Sequence, residues 1–335
     1  MRGAFWTLLG VLALVGRLVA QPFQLPTANR AVLEFGHEEA FFQATAGKTW
    51  TAGQFGCVRS SGYQFHEGVD IRCLERDRRG EPTDPVLASA EGSVAYVNAK
   101  PALSNFGNYV VLRHQIEGLE IYTLYAHLSA IAPGIRIGTA VKAGQRIATM
   151  GRTANTRQPI TKDRAHLHFE IDLVINERYA VWHKARLKET RNDHGNFNGR
   201  NLLGLNPAEI FREQARLGKA FSLVRYLQER PELCRITVRD TRFPWLKRYA
   251  ALVKRNPVAE REGIAGYELS LTFNGVPVRI IPRSASELKG TGKVNLVSVN
   301  PEVSQANPCG KFVFKRGQVW TLLPRGEELV DLLTY

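Results

Sequence analysis

Between Gln54 and Ile175 the chain alternates short β-branched or aromatic runs with glycine-bearing breaks. GSVAYV (92–97), GNYVVLRH (107–114), EIYTLYAHL (120–128), QRIATMG (145–151) and HLHFEIDLV (166–174) have strand length and composition. They predict a mainly β, largely antiparallel sheet folded over into a cleft. RNDHGNFNGRN (191–201) is too polar and irregular for an element and predicts a loop. NPAEIFREQARLG (206–218) predicts a helix, with Asn206 capping it, Pro207 in the first turn and Gly218 past the end. Beyond it, LCRITVRD (233–240), GYELSLTFNGVPVRIIP (266–282) and GKFVFKRGQVWTLLP (310–324) read as strands, and Asn274-Gly275 as a hairpin turn. FPWLKRYAALVKRN (243–256) predicts a helix between them. The expected organisation is a lead-in at 21–50, a β domain at 51–218, and a smaller β-rich domain at 219–335.

One strand departs from this pattern of packing residues. In HLHFE, His166 and His168 are two apart and so share a strand face, with Leu167 and Phe169 on the other. All eight histidines fall between His37 and His194, and the region after Leu217 has none. HEGVD adds His66 and Asp70, and YTLYAHL adds His127. Imidazole nitrogen and carboxylate oxygen are zinc ligands. Two His and one Asp supply three of them with one negative charge, leaving the metal positive enough to acidify a water. HEGVD is not the HExxH helix of other zinc peptidases, since its last residue is Asp and Gly68 disfavours a helix. Glu67 is therefore not expected to be a base, and Gly68 is expected to let the backbone bend between His66 and Asp70. His114 reads as a structural or groove-edge residue, Tyr122 and Tyr125 as packing residues, His183 and His194 as surface residues, and His37 as uninformative.

Charge and the N-terminus narrow the setting. MRGAFWTLLGVLALVGRLVAQPFQ reads as a secretory leader ending near Ala20, with an uncleaved anchor as the alternative. Arg17 shortens its apolar run, and no later segment reads as a membrane span. Taking Arg2 and Arg17 from the formal charge of +14 leaves +12 on the remainder. A basic, exported protein, periplasmic or extracellular, suits an anionic wall polymer, whereas nucleic acid is the wrong polymer for that compartment. Cys57, Cys73, Cys234 and Cys309 form no CxxC pair, and their even number in an oxidising compartment suggests two disulfides. Pairing Cys57 with Cys73 and Cys234 with Cys309 keeps each bridge inside one expected domain, although three connectivities are open.

In order, HEGVDI, PVLASAEGSVAYV, FGNYVVLRH, YTLYAHLSAI, GTAVKAGQRIATMGRTANT and HLHFEI resemble the lysostaphin/LytM-type zinc endopeptidases of bacterial cell walls. The resemblance covers Phe65 to Ile171, with an echo at LNPAEIF. It implies a groove-bearing antiparallel β fold of the duplicated-hybrid, barrel-sandwich type, holding a single zinc. It also implies a peptidoglycan substrate, with His66, Asp70 and His168 as metal ligands. His127 and His166 would line the water and scissile carbonyl, sharing proton transfer and oxyanion stabilisation. Two stretches depart from the family pattern. RCLERDRRGEPTD (72–84) is a longer, charged loop, and ANTRQPITKDRA (154–165) replaces a short turn that commonly ends in Gly-Pro. Both fall where groove walls are expected. The expected activity is hydrolysis of peptide bonds in stem peptides or cross-bridges. The alternatives are a non-catalytic wall-binding or amidase-regulating protein on the same fold, and an exported protease acting on proteins.

Overall fold

The computed structural model describes residues 21–335, and the segment read as a leader lies outside the described residues. In chain order the first strands are β1 (Gly56–Arg59), β2 (Gln64–His66), β3 (Val69–Arg72), β4 (Pro85–Leu87), β5 (Gly92–Asn98) and β6 (Tyr109–Ile116). They continue as β7 (Leu119–Ala126), β8 (Ala130–Ile131), β9 (Ala140–Val141), β10 (Arg146–Thr149), β11 (His166–Val174) and β12 (Leu202–Leu205). A seven-stranded sheet has the order β12-β11-β7-β6-β5-β9, with β3 also paired to β11. Its pairings are antiparallel throughout. A hairpin of β1 and β2 and a small sheet of β4, β10 and β8 flank it.

The register of β11 follows from its two faces. Leu167, Phe169, Ile171 and Leu173 are fully buried in the main hydrophobic core. Each such side chain contributes roughly 1.5–3 kcal/mol of burial. A slip by one residue would exchange them for His166, His168, Glu170 and Asp172, so the apolar face sets the polar one. On that polar face a second cluster of Tyr109, Val111, Tyr122, Leu124 and Ala126 covers the sheet. Tyr122 and Tyr125 are buried packing residues, as expected.

The helix Pro207–Leu217 forms as expected, with the Asn206 side chain accepting from the Glu209 N–H. A cap of this kind contributes about 1 kcal/mol. The lead-in packs back onto the sheet: Gln214 exchanges two hydrogen bonds with the Phe23 backbone, and the Gln43 N–H donates to the Asp70 carbonyl at 2.8 Å.

After residue 219 a second antiparallel sheet combines β13 (Cys234–Val238), β14 (Gly266–Leu271), β15 (Pro277–Arg283) and β16 (Val294–Val299) in the order β15-β14-β13-β16. Gly275 at the β14–β15 turn has φ 92°, a left-handed geometry that favours glycine. A hairpin of β17 (Val313–Arg316) and β18 (Val319–Leu322) and the helix Pro324–Leu333 close the chain. The helix expected over 243–256 is confined to Pro244–Arg248 and a single turn at Ala250–Leu252. One hydrophobic cluster runs continuously from Phe23 through β11 to Leu333. Asn274 Nδ2 donating to the Gly204 carbonyl and Trp182 Nε1 donating to Asp331 Oδ2, both at 2.7 Å, add polar ties across it.

The disulfide pairing differs from the one expected. Cys57 bonds Cys309 across 252 positions, while Cys73 and Cys234 are unbridged and buried. The Cys73 thiol turns toward Asp84 and the Glu75 carbonyl, and burial together with Asp84 pushes it up to about 12. Burial likewise pushes the Cys234 thiol up to about 12. β1 meets the returning C-terminal segment at this point, where the Cys309 N–H also faces Cys57 Sγ at 3.3 Å. Among the described residues no helix is long and apolar enough to cross a membrane.

Candidate metal and catalytic site

Strand register assembles the site. β11 lies between β3 and β7, which sets His168 opposite Asp70 on one side and opposite Ala126 on the other. His66 ends β2, opposite Gly56. His127 follows directly on β7 with φ 62°, a left-handed backbone held by its N–H donating to the Phe106 carbonyl. HEGVD is thus strand, turn, strand. The backbone bends at Gly68, as expected, and close packing adds a second requirement: a Cβ there would lie 2.2 Å from the Phe169 carbonyl oxygen.

His66, Asp70 and His168 are brought together with ligand atoms within 4.8 Å of one another, all three buried. Asp70 Oδ1 lies 3.0 Å from His168 Nδ1 and 3.2 Å from His66 Nε2, and those two nitrogens are 3.1 Å apart. The far side of each ring has an acceptor. His66 Nδ1 donates to the Gln54 carbonyl at 2.7 Å, and His168 Nε2 donates to Glu170 Oε1 at 2.6 Å. These partners orient both rings and direct the opposite nitrogens inward, which is the donor set a tetrahedral cation needs.

His127 and His166 stand beside this triangle, their ring centroids 4.8 Å apart and His127 6.0 Å from His168. They repeat the same device. His127 Nδ1 donates to the Thr153 carbonyl at 2.8 Å and His166 Nδ1 to the Arg164 carbonyl at 2.7 Å, so each Nε2 carries the lone pair. His166 Nε2 is 3.5 Å from Asp70 Oδ1.

The electrostatics separate these groups. Burial lowers His127 well below the ordinary imidazole range, helped by His166 and His168, and lowers His166 against the pull of Asp70. Burial also lowers His66, again against Asp70. His168 behaves oppositely: burial works against its charge, but hydrogen bonds to Asp70 and Glu170 prevail and push it up to about 10. Burial alone would raise Asp70, yet His66, His166, Arg59 and the His168 hydrogen bond hold it well below the carboxylate range.

Several parts of the site were not anticipated from the sequence. Arg59 on β1 donates through Nη2 to Asp70 Oδ2 at 2.5 Å and lies 3.0 Å from His66 Nε2. Glu170 was legible in principle, since it continues the i, i+2 face of His166 and His168. Phe106 packs against the His168 ring at a centroid distance of 5.4 Å.

His183 and His194 are buried, not surface residues as expected. His183 Nε2 is held by Thr190 Oγ1, while His194 is bound by Tyr96 and the Leu103 carbonyl. The 191–199 loop folds over the sheet, so its polar composition marks a groove wall rather than a free surface. His114 is structural, as expected, between the Glu91 carbonyl and Thr123 Oγ1. Glu67 lies outside the cluster of ligand atoms, and burial together with Glu170 raises its carboxyl.

The imidazoles open into a groove of about 1340 Å³, whose walls include Lys48, Phe106, Arg164, Arg191 and Phe197. The two departures from the family pattern form one buttress. Glu81 pairs with Arg152 at 2.8 Å and with Lys162 at 3.4 Å, and Arg76 Nη1 donates to the Lys162 carbonyl at 2.5 Å.

An antiparallel β fold with a groove thus brings a His-Asp-His cluster beside two further imidazoles. Residues 64–180 match the model of peptidase family M23, and the chain belongs to that family. Lipoprotein NlpD of Yersinia enterocolitica is 36% identical over 95 residues, covering 28% of this chain and 84% of that protein. Murein hydrolase activator NlpD of Escherichia coli is 34% identical over 106 residues, covering 32% and 22%. Cell division protein DipM of Caulobacter vibrioides is 31% identical over 131 residues, covering 39% and 17%. The chain spans from about a sixth to about a third of the length of DipM, an uncharacterized Haemophilus influenzae metalloprotease and a Pseudomonas aeruginosa NlpD/LppB homolog. Among solved structures, the catalytic domain of lysostaphin from Staphylococcus simulans is 27% identical, covering 36% of this chain and 74% of that one, with a TM-score of 0.25.

Proposed function

We propose that this protein is a zinc-dependent endopeptidase of the cell envelope that hydrolyses peptide bonds in peptidoglycan. One observation carries the reading. His66 Nε2, Asp70 Oδ1 and His168 Nδ1 converge within 3.2 Å, each imidazole with its outer nitrogen already satisfied, beside two further imidazoles whose Nε2 is free to accept. His66, Asp70 and His168 would hold the zinc, which when bound supplies a Lewis acid that acidifies a water and polarises a carbonyl.

The chain's own groups do the remaining work. Thr153 and Arg164 fix His127 and His166 through carbonyl acceptors, so each presents its lone pair without a search over ring flips. Burial keeps both imidazoles neutral, ready to take a proton and later return it to the leaving amine. Once protonated, either becomes a donor toward the oxygen on which charge develops.

A second reading is favoured by the relatives named murein hydrolase activators: a non-catalytic protein that binds wall peptides or acts on amidases. An exported protease acting on proteins is a third, since the departures from the family pattern lie in the groove walls. Export to the periplasm or exterior fits the basic charge and the relatives named lipoproteins, and the region after 219 would aid wall binding.

Metal analysis combined with release of soluble fragments from purified sacculi decides between these readings. The wild type is expected to hold one zinc and release muropeptides. His168→Ala should lose both, and His166→Ala should lose turnover while largely keeping zinc. A wild type that binds no zinc and digests neither sacculi nor a protein substrate would establish the non-catalytic reading.

A further inference from the structure

We infer that Arg164 forms a carboxylate-binding subsite in the groove wall, so that the site selects peptides carrying a free acidic group next to the bond presented to His166. The inference rests on the reading of the groove as a peptidoglycan peptide site, and it chooses between the stem peptides and the cross-bridges expected from the sequence. It favours an acidic stem peptide over a neutral cross-bridge.

Arg164 lines the same groove as His127, His166 and His168. Its carbonyl takes the Nδ1 proton of His166 at 2.7 Å, so its backbone is fixed relative to the reacting imidazole. Among the described residues, its guanidinium has no hydrogen-bond acceptor and no ion-pair partner, and its Nε is covered without an acceptor. The other arginines of the groove are committed: Arg59 to Asp70 at 2.5 Å and Arg191 to Asp193 at 2.6 Å. Lys48 is exposed, hence solvated and mobile, and makes a weaker recognition group.

The wall presenting Arg164 is braced. Arg76 holds the Lys162 carbonyl, Lys162 Nζ donates to the Arg79 carbonyl at 2.7 Å, and Lys162 also pairs with Glu81. The bracing holds the backbone that presents Arg164, and the planar donors of its guanidinium match a carboxylate in a two-point contact. An uncharged, glycine-like peptide offers the guanidinium only neutral carbonyl acceptors, which lack the charge and the paired oxygens of a carboxylate.

The test uses a synthetic acidic stem peptide and the same peptide with its side-chain carboxylates amidated. Binding is measured by calorimetry to the zinc-loaded protein in a His127→Ala background, where turnover is blocked, with Arg164 intact or changed to Gln or Lys. With Arg164 intact, the acidic peptide should bind at least about tenfold more tightly than the amidated one. Arg164→Gln should abolish the preference and Arg164→Lys should restore part of it, a rescue that a merely structural role would not produce. In kinetics with His127 present, Arg164→Gln should raise KM for the acidic peptide and leave that for the amidated peptide unchanged. Equal affinity for the two peptides with Arg164 intact, no binding of either, or a preference that survives Arg164→Gln would overturn the inference. If the preference holds but the wild type releases no product, the subsite stands and the endopeptidase reading falls. If the wild type cuts both peptides equally and Arg164→Gln changes nothing, the reverse is true.

Discussion

Arg59 and Asp70 are joined through one carboxylate oxygen while the other serves the imidazoles: Arg59 Nη2 donates to Oδ2 at 2.5 Å, and Oδ1 lies 3.0–3.5 Å from His168, His66 and His166. The carboxylate is buried, so the guanidinium both orients it and offsets its charge. Asp70 is held well below its unfolded value, so its stabilising contribution is present above about pH 4 and is lost as pH falls through the folded value. Arg59→Ala removes one of the groups holding it down. The metal-free variant should therefore unfold in acid at a higher pH than the wild type and be less stable at pH 7 by about 3 kcal/mol. An unchanged acid midpoint followed by circular dichroism would show that Arg59 is not coupled to Asp70.

Glu170 acts one step further out. Its 2.6 Å bond from His168 Nε2 fixes which nitrogen of that ring faces Asp70. Outer partners of this kind are worth roughly 10–100-fold in metal affinity. Glu170→Gln should weaken zinc binding by about that factor in a competition with a chromophoric chelator, with secondary structure intact. An affinity equal to that of the wild type would remove Glu170 from the site's design.

His114 predicts an acid-dependent loss of stability that has nothing to do with the metal. Burial holds its imidazole down to about 4, so the fold favours the neutral ring. The unfolded chain binds the proton below about pH 6.5, and stability therefore falls as pH drops from there toward 4, by on the order of 3 kcal/mol in all. His114→Gln should be less stable at pH 7, through the lost bonds to Glu91 and Thr123, yet show a flatter profile across that window in urea denaturation. A slope as steep as that of the wild type would exclude His114 as its source.

Asp172 predicts the opposite slope. Both of its carboxylate oxygens are buried without a partner, and burial with Glu170 and Glu67 nearby raises it well above the ordinary range. The unfolded chain releases this proton above about pH 4 while the folded protein keeps it, so stability declines as pH rises from that point. Asp172→Asn should raise stability at pH 7 by about 1–3 kcal/mol and remove that decline. A less stable variant in thermal melts at pH 7 would mean that the charge has a partner.

The Cys57–Cys309 bridge closes a loop across 252 positions and ties the strand bearing Arg59 to the C-terminal segment. By chain entropy a closure of this size stabilises by about 5 kcal/mol. A Cys57→Ser/Cys309→Ser variant should unfold at markedly lower denaturant, while Cys73→Ser and Cys234→Ser leave the non-reducing mass and thiol titration of the bridge unchanged. A variant lacking the bridge that unfolds at the wild-type midpoint would limit its role to local order.

Much of the site can be read along the chain because its parts are local patterns. The alternation in HLHFEIDLV fixes which residues of β11 face the core and which face the groove, since side chains of a strand point to opposite faces in turn. The five candidate residues lie in short stretches whose spacing survives whatever the rest of the chain does. Asn206, Pro207 and Gly218 delimit their helix by the same local logic.

What only the tertiary structure decided are relations between distant segments. They include Cys57 with Cys309 rather than Cys73, Arg59 beneath Asp70, and the Gln54, Thr153 and Arg164 carbonyls that set the imidazole tautomers. The burial of His183 and His194 and the docking of the two divergent loops on each other belong with these. Periodicity and capping are properties of a few consecutive φ and ψ angles. Contacts across many tens of residues depend on sheet register and on the path of the returning chain, and these are set by how the whole apolar surface is buried.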